Sequence, residues 1–339
     1  MKDYSNILII KMSSLGDVIH ALPTLYALRQ NLPHAKITWA IHEQFASLLP
    51  GTPWVDEVIV IDKKQLKSPS YLWNLRKELH SRHFDMTLDL QCIAKSAIVS
   101  LLSGSPEKYG YWELREGSQL VNKALVGAHK YDHVIERYLD TVRALGGEVD
   151  GVEFPMPHDH AAEGKIRNRL SELGVTDDYV VVVPGARWIV KEWPLLNFGE
   201  LCIRLCESGK KVVIAGSPDD SEKGQFIENY VKSDNLINLV GKTTMAELIE
   251  LIRHCHIFIS ADTGPLHIAN ALKKPLIALF GTTSPHRTGP YGGSHVHLII
   301  SPTSKATPEQ PLVDDSDCMA QIPVDAVWDV YSEMLRKDL

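Results

Sequence analysis

What most constrains this chain is a repeated alternation: runs of four or five Ile, Val and Leu residues, each followed by a stretch with the period of a helix. A run that is apolar at every position suits a strand buried on both faces, as inside a parallel sheet, and parallel neighbours must be joined by a crossover of helical length. Two series of such units are legible. In the first, strands are expected at 7–10, 37–41, 57–61, 86–90 and 108–111, with helices at 18–31, 71–81, 95–102 and 134–145, the last ended by Gly146 and Gly147. The stretch 148–160, with two prolines and no helical period, reads as a linker. The second series places helices at 161–173, 196–208, 220–232, 245–254 and 265–272, and strands at 179–183, 211–215, 236–239, 257–260, 276–280 and 297–300. Segment 301–317 is polar and proline-bearing, hence a loop, and 324–336 is expected as a final helix. A chain of 339 residues is long enough for two domains with separate cores, so the pattern predicts an α/β protein of two doubly wound domains facing across a cleft.

Charge narrows the classes of partner. The 35 basic and 42 acidic residues are unevenly spread: residues 1–170 hold 20 of each, leaving 15 basic and 22 acidic for 171–339. Neither half has the basic excess of a general nucleic-acid binder, whereas local cations in the neutral first half suit an anionic headgroup. The first apolar run is cut off at Lys11, too short for a secretory leader, and no run approaches membrane-spanning length. Five cysteines (92, 202, 206, 255 and 318) without a C-x-x-C pair fit buried thiols in a reducing compartment, so a cytoplasmic location is expected.

Chemistry is expected where strands end, because open α/β sheets bind ligands at the carboxyl ends of their strands. The first strand empties into Lys11-Met12-Ser13-Ser14-Leu15-Gly16-Asp17. Asp17 reads either as a helix N-cap or as a general base, with Gly16 permitting a tight turn and Lys11, Ser13 and Ser14 supplying donors. The run Ser260-Ala261-Asp262-Thr263-Gly264-Pro265-Leu266-His267 is a strand, a turn and a helix start with Pro at its expected first position. Free N–H groups at the positive helix end favour a diphosphate over a merely well-capped helix. After the strand ending at Val183, Arg187 and Lys191 are cations placed to neutralise a leaving diphosphate. Farther on, Asp219 or Asp220 reads as a ribose acceptor or as a helix cap.

Several look-alikes fail. Neither domain holds G-x-G-x-x-G, which disfavours a nicotinamide dehydrogenase. Gly241-Lys242-Thr243-Thr244 lacks the glycine a P-loop needs five residues earlier, where Leu236 stands. Asp315-Ser316-Asp317 is formally D-x-D but lies in an acidic loop, and no metal site is expected.

Residues 9–23, Lys191-Glu192-Trp193-Pro194 and the run 260–267 together resemble the family-nine glycosyltransferases, the lipopolysaccharide heptosyltransferases, most nearly the heptosyltransferase I class. Asp89-Leu90-Gln91, Lys95-Ser96-Ala97 and Cys318-Met319 extend the likeness over nearly the whole chain. The resemblance implies a GT-B fold, with an acceptor-binding domain at 1–155, a nucleotide-sugar domain at 161–322 and a helix at 323–339 that returns to pack on the first domain. It further implies metal-independent, inverting transfer of L-glycero-D-manno-heptose from ADP-heptose to the Kdo region of the inner core, with no cofactor. Contact with the inner face of the inner membrane follows from a lipid-linked acceptor of the Kdo-lipid A type.

By the same likeness Asp17 is the base, and Lys191 with Thr263 and Gly264 holds the diphosphate; Asp262, His267, Arg187 and Asp220 complete the donor side. Ser13, Ser14, Gly16, Lys95, Arg115, His133 and Arg137 fall on the acceptor side, where plain surface solvation is the alternative for the cations. Cys92 departs from the glycine that commonly follows Asp-x-Gln in the family. Another donor or acceptor within the family, or a non-catalytic nucleotide binder, are the competing readings.

Overall fold

The computed structural model describes residues 1–176, 178–315 and 317–337. The D-x-D look-alike includes Ser316, which lies outside the described residues. The chain divides into two compact units, at 1–157 and 158–339.

In the first unit, strands β1 (Asn6–Ile10), β2 (Lys36–Ile41), β3 (Glu57–Val60), β4 (Met86–Asp89), β5 (Glu107–Tyr111) and β6 (Lys123–Leu125) form one parallel sheet in the order β3-β2-β1-β4-β5-β6. Helices α1 (Leu15–Asn31), α2 (Pro69–His80), α3 (Ala94–Leu102) and α4 (Val134–Ala144) connect them. The order reverses between β1 and β4, whose register sets Ile10 beside Asp89. The segments leaving both strands, from Lys11 and from Leu90, therefore emerge side by side at the switch point, where such sheets bind ligands.

The second unit repeats the arrangement. Helix α5 (His160–Glu172) leads into β7 (Tyr179–Val183), followed by α6 (Leu195–Glu207), β8 (Lys211–Ile214), α7 (Ser221–Val231), β9 (Leu236–Asn238), α8 (Met245–His254), β10 (Ile257–Ala261), α9 (Gly264–Ala271), β11 (Leu276–Phe280), α10 (Pro285–Thr288), β12 (Val296–Ile300) and α11 (Val324–Lys337). The sheet runs β12-β11-β10-β7-β8-β9, again all parallel, with its switch point between β7 and β10, where Ser260 pairs with Val183. Both units thus share one strand order, and each is doubly wound as the apolar runs require.

Two expectations are corrected. Helix α1 begins at Leu15, three residues early, because Ser14 is its N-cap and Asp17 the third helical residue; Asp17 is therefore not the cap. Pro265 is the second helical residue of α9, after Gly264, with Thr263 as N-cap. Within the second unit, helix α11 contributes its apolar face to the core. Val327, Tyr331 and Met334 are buried in one cluster with Phe198, Leu201, Leu205 and Leu279, and the indole N–H of Trp193 donates to the carbonyl of Ile322 at 2.9 Å, just before the helix. Strand β6 was missed because Lys-Ala-Leu carries no apolar run.

Burying a methionine side chain stabilises a fold by a few kcal/mol, and its truncation leaves a cavity as well. Met334→Ala is therefore expected to lower the unfolding free energy by roughly 2–4 kcal/mol in urea titrations followed by tryptophan fluorescence. A change within error would show that α11 does not contribute to this core.

Candidate functional site

At the switch point of the first unit a buried lysine underlies the loop. Lys11 is 2% exposed, and its ammonium donates to the carbonyl of Leu90 at 3.0 Å and to the hydroxyl of Tyr138 at 2.8 Å. It lies 4.0 Å from Asp17 Oδ1, setting a positive charge beside that carboxylate. Asp17 Oδ2 accepts from the backbone N–H of Ser14 at 3.0 Å and from its hydroxyl at 2.6 Å. The Asp17 side chain is nevertheless 40% exposed, so its carboxylate remains accessible at the end of β1.

The loop is held from below by the segment leaving β4. Gln91 Oε1 accepts from the N–H groups of Met12 and Ser13, both at 3.1 Å. Gln91 is itself placed by Asp89, whose Oδ1 accepts from the N–H groups of Gln91 and Cys92, both at 2.9 Å. The other oxygen accepts from Ser96 Oγ and Asn122 Nδ2, both at 2.8 Å. Asp89 is fully buried, and desolvation raises its carboxyl to about 6 against these four donors and the charge of Lys11.

Cys92 follows with φ +54°, a left-handed conformation that glycine adopts most easily. Its sulfur is tucked under β5, where a Cβ on Gly110 would come within 2.7 Å of it. Burial pushes the Cys92 thiol far up, so it stays protonated.

In the second unit the loops leaving β7, β8, β10 and β11 converge. Lys191, in a short 3-10 turn after β7, donates to Asp262 Oδ2 at 2.6 Å; Thr283, after β11, donates to the same oxygen at 2.8 Å. His267 Nε2 lies 3.9 Å from Asp262 Oδ1, and both residues are 7% exposed. The partly exposed Lys191 thus sits over a buried carboxylate, beside Thr263 and Gly264 where the N–H groups of α9 begin. Asp220 Oδ2 accepts from the N–H and hydroxyl of Ser217 at 3.2 and 2.6 Å, and Oδ1 accepts from Lys223 at 2.9 Å. Asp220 fits there because residue 185 is glycine: a Cβ would fall 2.1 Å from Oδ1. Lys223 also bonds Glu192, whose carboxylate accepts from the N–H of Ala186 at 3.0 Å, closing the loop that carries Lys191.

The geometry separates the expected residues into groups. Lys191, Asp262 and His267 are brought together, with Thr263 and Gly264 adjoining in sequence. Asp220 is tied into a cap, and Arg187 stands exposed beside the exposed Trp188 and Ile189. Ser13, Ser14 and Gly16 lie around Asp17, partly buried. Lys95 is exposed in the first turn of α3. Arg115, also exposed, donates its backbone N–H to the carbonyl of Cys92. His133 caps α4, accepting from the N–H of Ile135 at 3.2 Å, and meets the ring of His20 edge-on at 5.6 Å. Arg137 is not a solvated cation: at 6% exposure it donates to the carbonyls of Asp132 and Tyr131 at 2.6 and 3.2 Å. Tyr138, Thr283 and Lys223 were missed: Tyr138 and Thr283 reach Lys11 and Asp262 from segments distant in sequence, and Lys223 joins Asp220, three residues away, to the distant Glu192.

A family model described as glycosyltransferase family 9 (heptosyltransferase) matches residues 72–318. Lipopolysaccharide heptosyltransferase 1 of Pseudomonas aeruginosa is 28% identical over 305 residues, covering 86% of this chain and 83% of the relative. Lipopolysaccharide heptosyltransferase 3 of Escherichia coli is 27% identical over 338 residues, covering 95% and 96%. Among solved structures, a family 9 glycosyltransferase of Veillonella parvula superposes with a TM-score of 0.87 at 22% identity, covering 99% of both chains. A heptosyltransferase of E. coli with ADP superposes with 0.77 at 24% identity, covering 97% of this chain and 99% of that one. The fold is accordingly of the GT-B type.

Two outcomes test the scaffold under Asp17. A carboxyl raised from 3.8 to about 6 on folding makes the native state bind more protons than the unfolded chain between those values. Asp89 thus contributes stability that is whole below about pH 4 and lost as pH rises through about 6, on the order of 3 kcal/mol. Asp89→Asn should flatten the pH profile of stability over that interval, and an unchanged slope would refute the assignment. Gln91→Leu strips the acceptor from two N–H groups and should cost about 1–3 kcal/mol, with faster hydrogen exchange confined to Met12 and Ser13.

Proposed function

This chain belongs to glycosyltransferase family 9, the heptosyltransferases, and from that premise we propose that it moves L-glycero-D-manno-heptose from ADP-heptose to the Kdo region of the lipopolysaccharide inner core, as a heptosyltransferase of type I. The observation that carries the reading is the contrast between the two switch points. One presents an accessible carboxylate, Asp17, at a strand end; the other presents a cation over a buried aspartate at the start of a helix. A transferase of this kind needs a base for its acceptor and an electrophilic cradle for its leaving group, and these are those two parts.

The donor's diphosphate lies at the Thr263–Gly264 end of α9, where unpaired N–H groups and the helix dipole favour phosphate oxygens. Lys191 keeps its bond to Asp262 and points its remaining N–H groups at the same oxygens. Asp262 and Thr283 hold that ammonium in place, so little reorganisation is needed as charge develops on the leaving ADP. A heptosyltransferase of E. coli that shares the fold has been solved with ADP, which supports the choice of nucleotide.

The acceptor hydroxyl approaches Asp17. As its oxygen bonds to the anomeric carbon, the bond from that carbon to the diphosphate oxygen breaks on the opposite face, the proton passes to Asp17, and ADP leaves. The configuration inverts. A carboxylate is too weak a base to remove an alcohol proton beforehand, so transfer of the proton accompanies carbon–oxygen bond formation. Lys191 supplies the positive charge this mechanism asks of a metal elsewhere, and we assign the transfer to metal-independent chemistry on that basis.

The acceptor's anionic groups meet Lys95 and Arg115, both exposed on the first unit, while His133 and Arg137 shape the adjoining start of α4. Among the described residues no helix is long and apolar enough to cross a membrane. On this reading a lipid-linked acceptor is met by peripheral contact with the cytoplasmic face of the inner membrane, through the exposed cations of the first unit. A second reading, transfer to a different position of the core, is favoured by one observation: relatives of types 1 and 3 are 28% and 27% identical to this chain. A panel of acceptors separates the two.

With ADP-heptose and Kdo-lipid A in EDTA, the protein should release ADP. Asp17→Asn should lower kcat by about 10²–10⁴-fold while leaving ADP affinity within twofold. Turnover by the variant at the wild-type rate would remove Asp17 from the mechanism. No release by wild type, with ADP still bound, would overturn the donor or the acceptor.

A further inference from the structure

Away from both strand-end sites, three histidines and two glutamates gather where the second unit begins. Asp159 caps α5, accepting from the N–H groups of Ala161 and Ala162 at 2.9 and 3.0 Å, so His158 and His160 flank the cap and Glu163 follows within the first turn. Glu163 Oε2 lies 3.0 Å from His158 Nε2 and 3.5 Å from His160 Nδ1. One donor atom from each of the three residues can be chosen so that all lie within 4.8 Å of one another. Ligands about 2.0–2.1 Å from a tetrahedral ion stand roughly 3.4 Å apart, so the spacing already approximates that of three ligands on one ion.

The surroundings complete the case. The other oxygen of Glu163 has His254 Nε2, from the last turn of α8, at 3.0 Å and Arg167 at 3.8 Å, so the carboxylate stands among nitrogen-bearing side chains. Behind His158 lies Glu250, 1% exposed, its oxygens fixed by the N–H of Asp159 at 3.1 Å and by Arg253 at 2.8 Å, and 3.8 Å from His158 Nε2. Solvent reaches the cluster through His160, whose side chain is 82% exposed, leaving room for water in a fourth position.

We infer that His158, His160 and Glu163 form a binding site for a divalent transition metal of the zinc type. Imidazole nitrogens and one carboxylate suit zinc, nickel or copper and are a poor set for magnesium or calcium. The site is separate from the transfer chemistry. His254 stands just before β10 and Asp262 just after it, so a whole strand of about 17 Å divides them. A bound ion would clip the first residues of the second unit to α5, and through Glu163 to α8.

The test uses the full chain without an affinity tag, stripped with a chelator, dialysed and titrated calorimetrically with Zn²⁺. One equivalent should bind, and His160→Ala and Glu163→Gln should each weaken it at least tenfold. His160 is exposed and Glu163 partly buried, and circular dichroism verifies that the variants stay folded. Co²⁺ should give a visible d–d absorption that both variants lose. Binding of less than one equivalent, or equal affinity in wild type and both variants, overturns the site. Turnover with ADP-heptose is read separately, so failure here is distinct from failure of the transferase reading.

Discussion

Parallel strands cannot be joined by tight turns, and everything chemical in this molecule follows from that restriction. Each connection must leave the carboxyl end of one strand and return to the amino end of the next. Where the winding reverses, two neighbouring connections part in opposite directions and open a gap at the sheet's edge. Both units have the same strand order, so both have this gap, between β1 and β4 and between β7 and β10. The backbone makes the two places alike; only side chains set an accessible carboxylate at one and an ammonium over a buried aspartate at the other.

Three aspartates show how burial divides the work. Asp89 is sealed under the sheet edge and saturated with four donors, which makes it a fastener for the Gln91 loop. Asp262 is nearly as buried but faces an ammonium, so it locates a charge. Asp17 alone is half open to solvent, bonded on one oxygen to Ser14 with the other oxygen 4.0 Å from Lys11. The same functional group is a bolt, a counter-ion or an accessible carboxylate according to how much water and how many donors surround it.

The strands of both units were legible because continuous apolar runs are a direct imprint of burial on two faces. Strand β7 and helix α8 fall where periodicity puts them, while β6 escaped because an edge strand of three residues needs no apolar run. Asp17, Lys191 and Asp262 stood out as candidates because they lie in the segments that leave strand ends, where topology alone marks a candidate site. What stayed hidden is long-range. The hydroxyl of Tyr138 reaches Lys11 across 127 residues and Thr283 reaches Asp262 across a neighbouring strand, and local spacing holds no record of either. Arg137 misled for the opposite reason: composition counts it as a surface cation, but two backbone carbonyls hold it inside. Helix α11 has an apolar face that any core would accept, and only packing against α6 shows which core it joined.

The sulfur of Cys92 beneath Gly110 links two positions that lie 18 residues apart. A side chain in the left-handed turn after Asp89 is one of two that deny strand β5 its own at residue 110, Leu114 coming as close, so a glycine in the turn would lift part of that prohibition. Within a lineage the pair should drift together, one position gaining bulk only as the other gives it up. An exchange of this kind rewrites the floor beneath the Gln91 loop while leaving every residue of the two sites in place, a quiet route by which related sequences diverge without changing their chemistry.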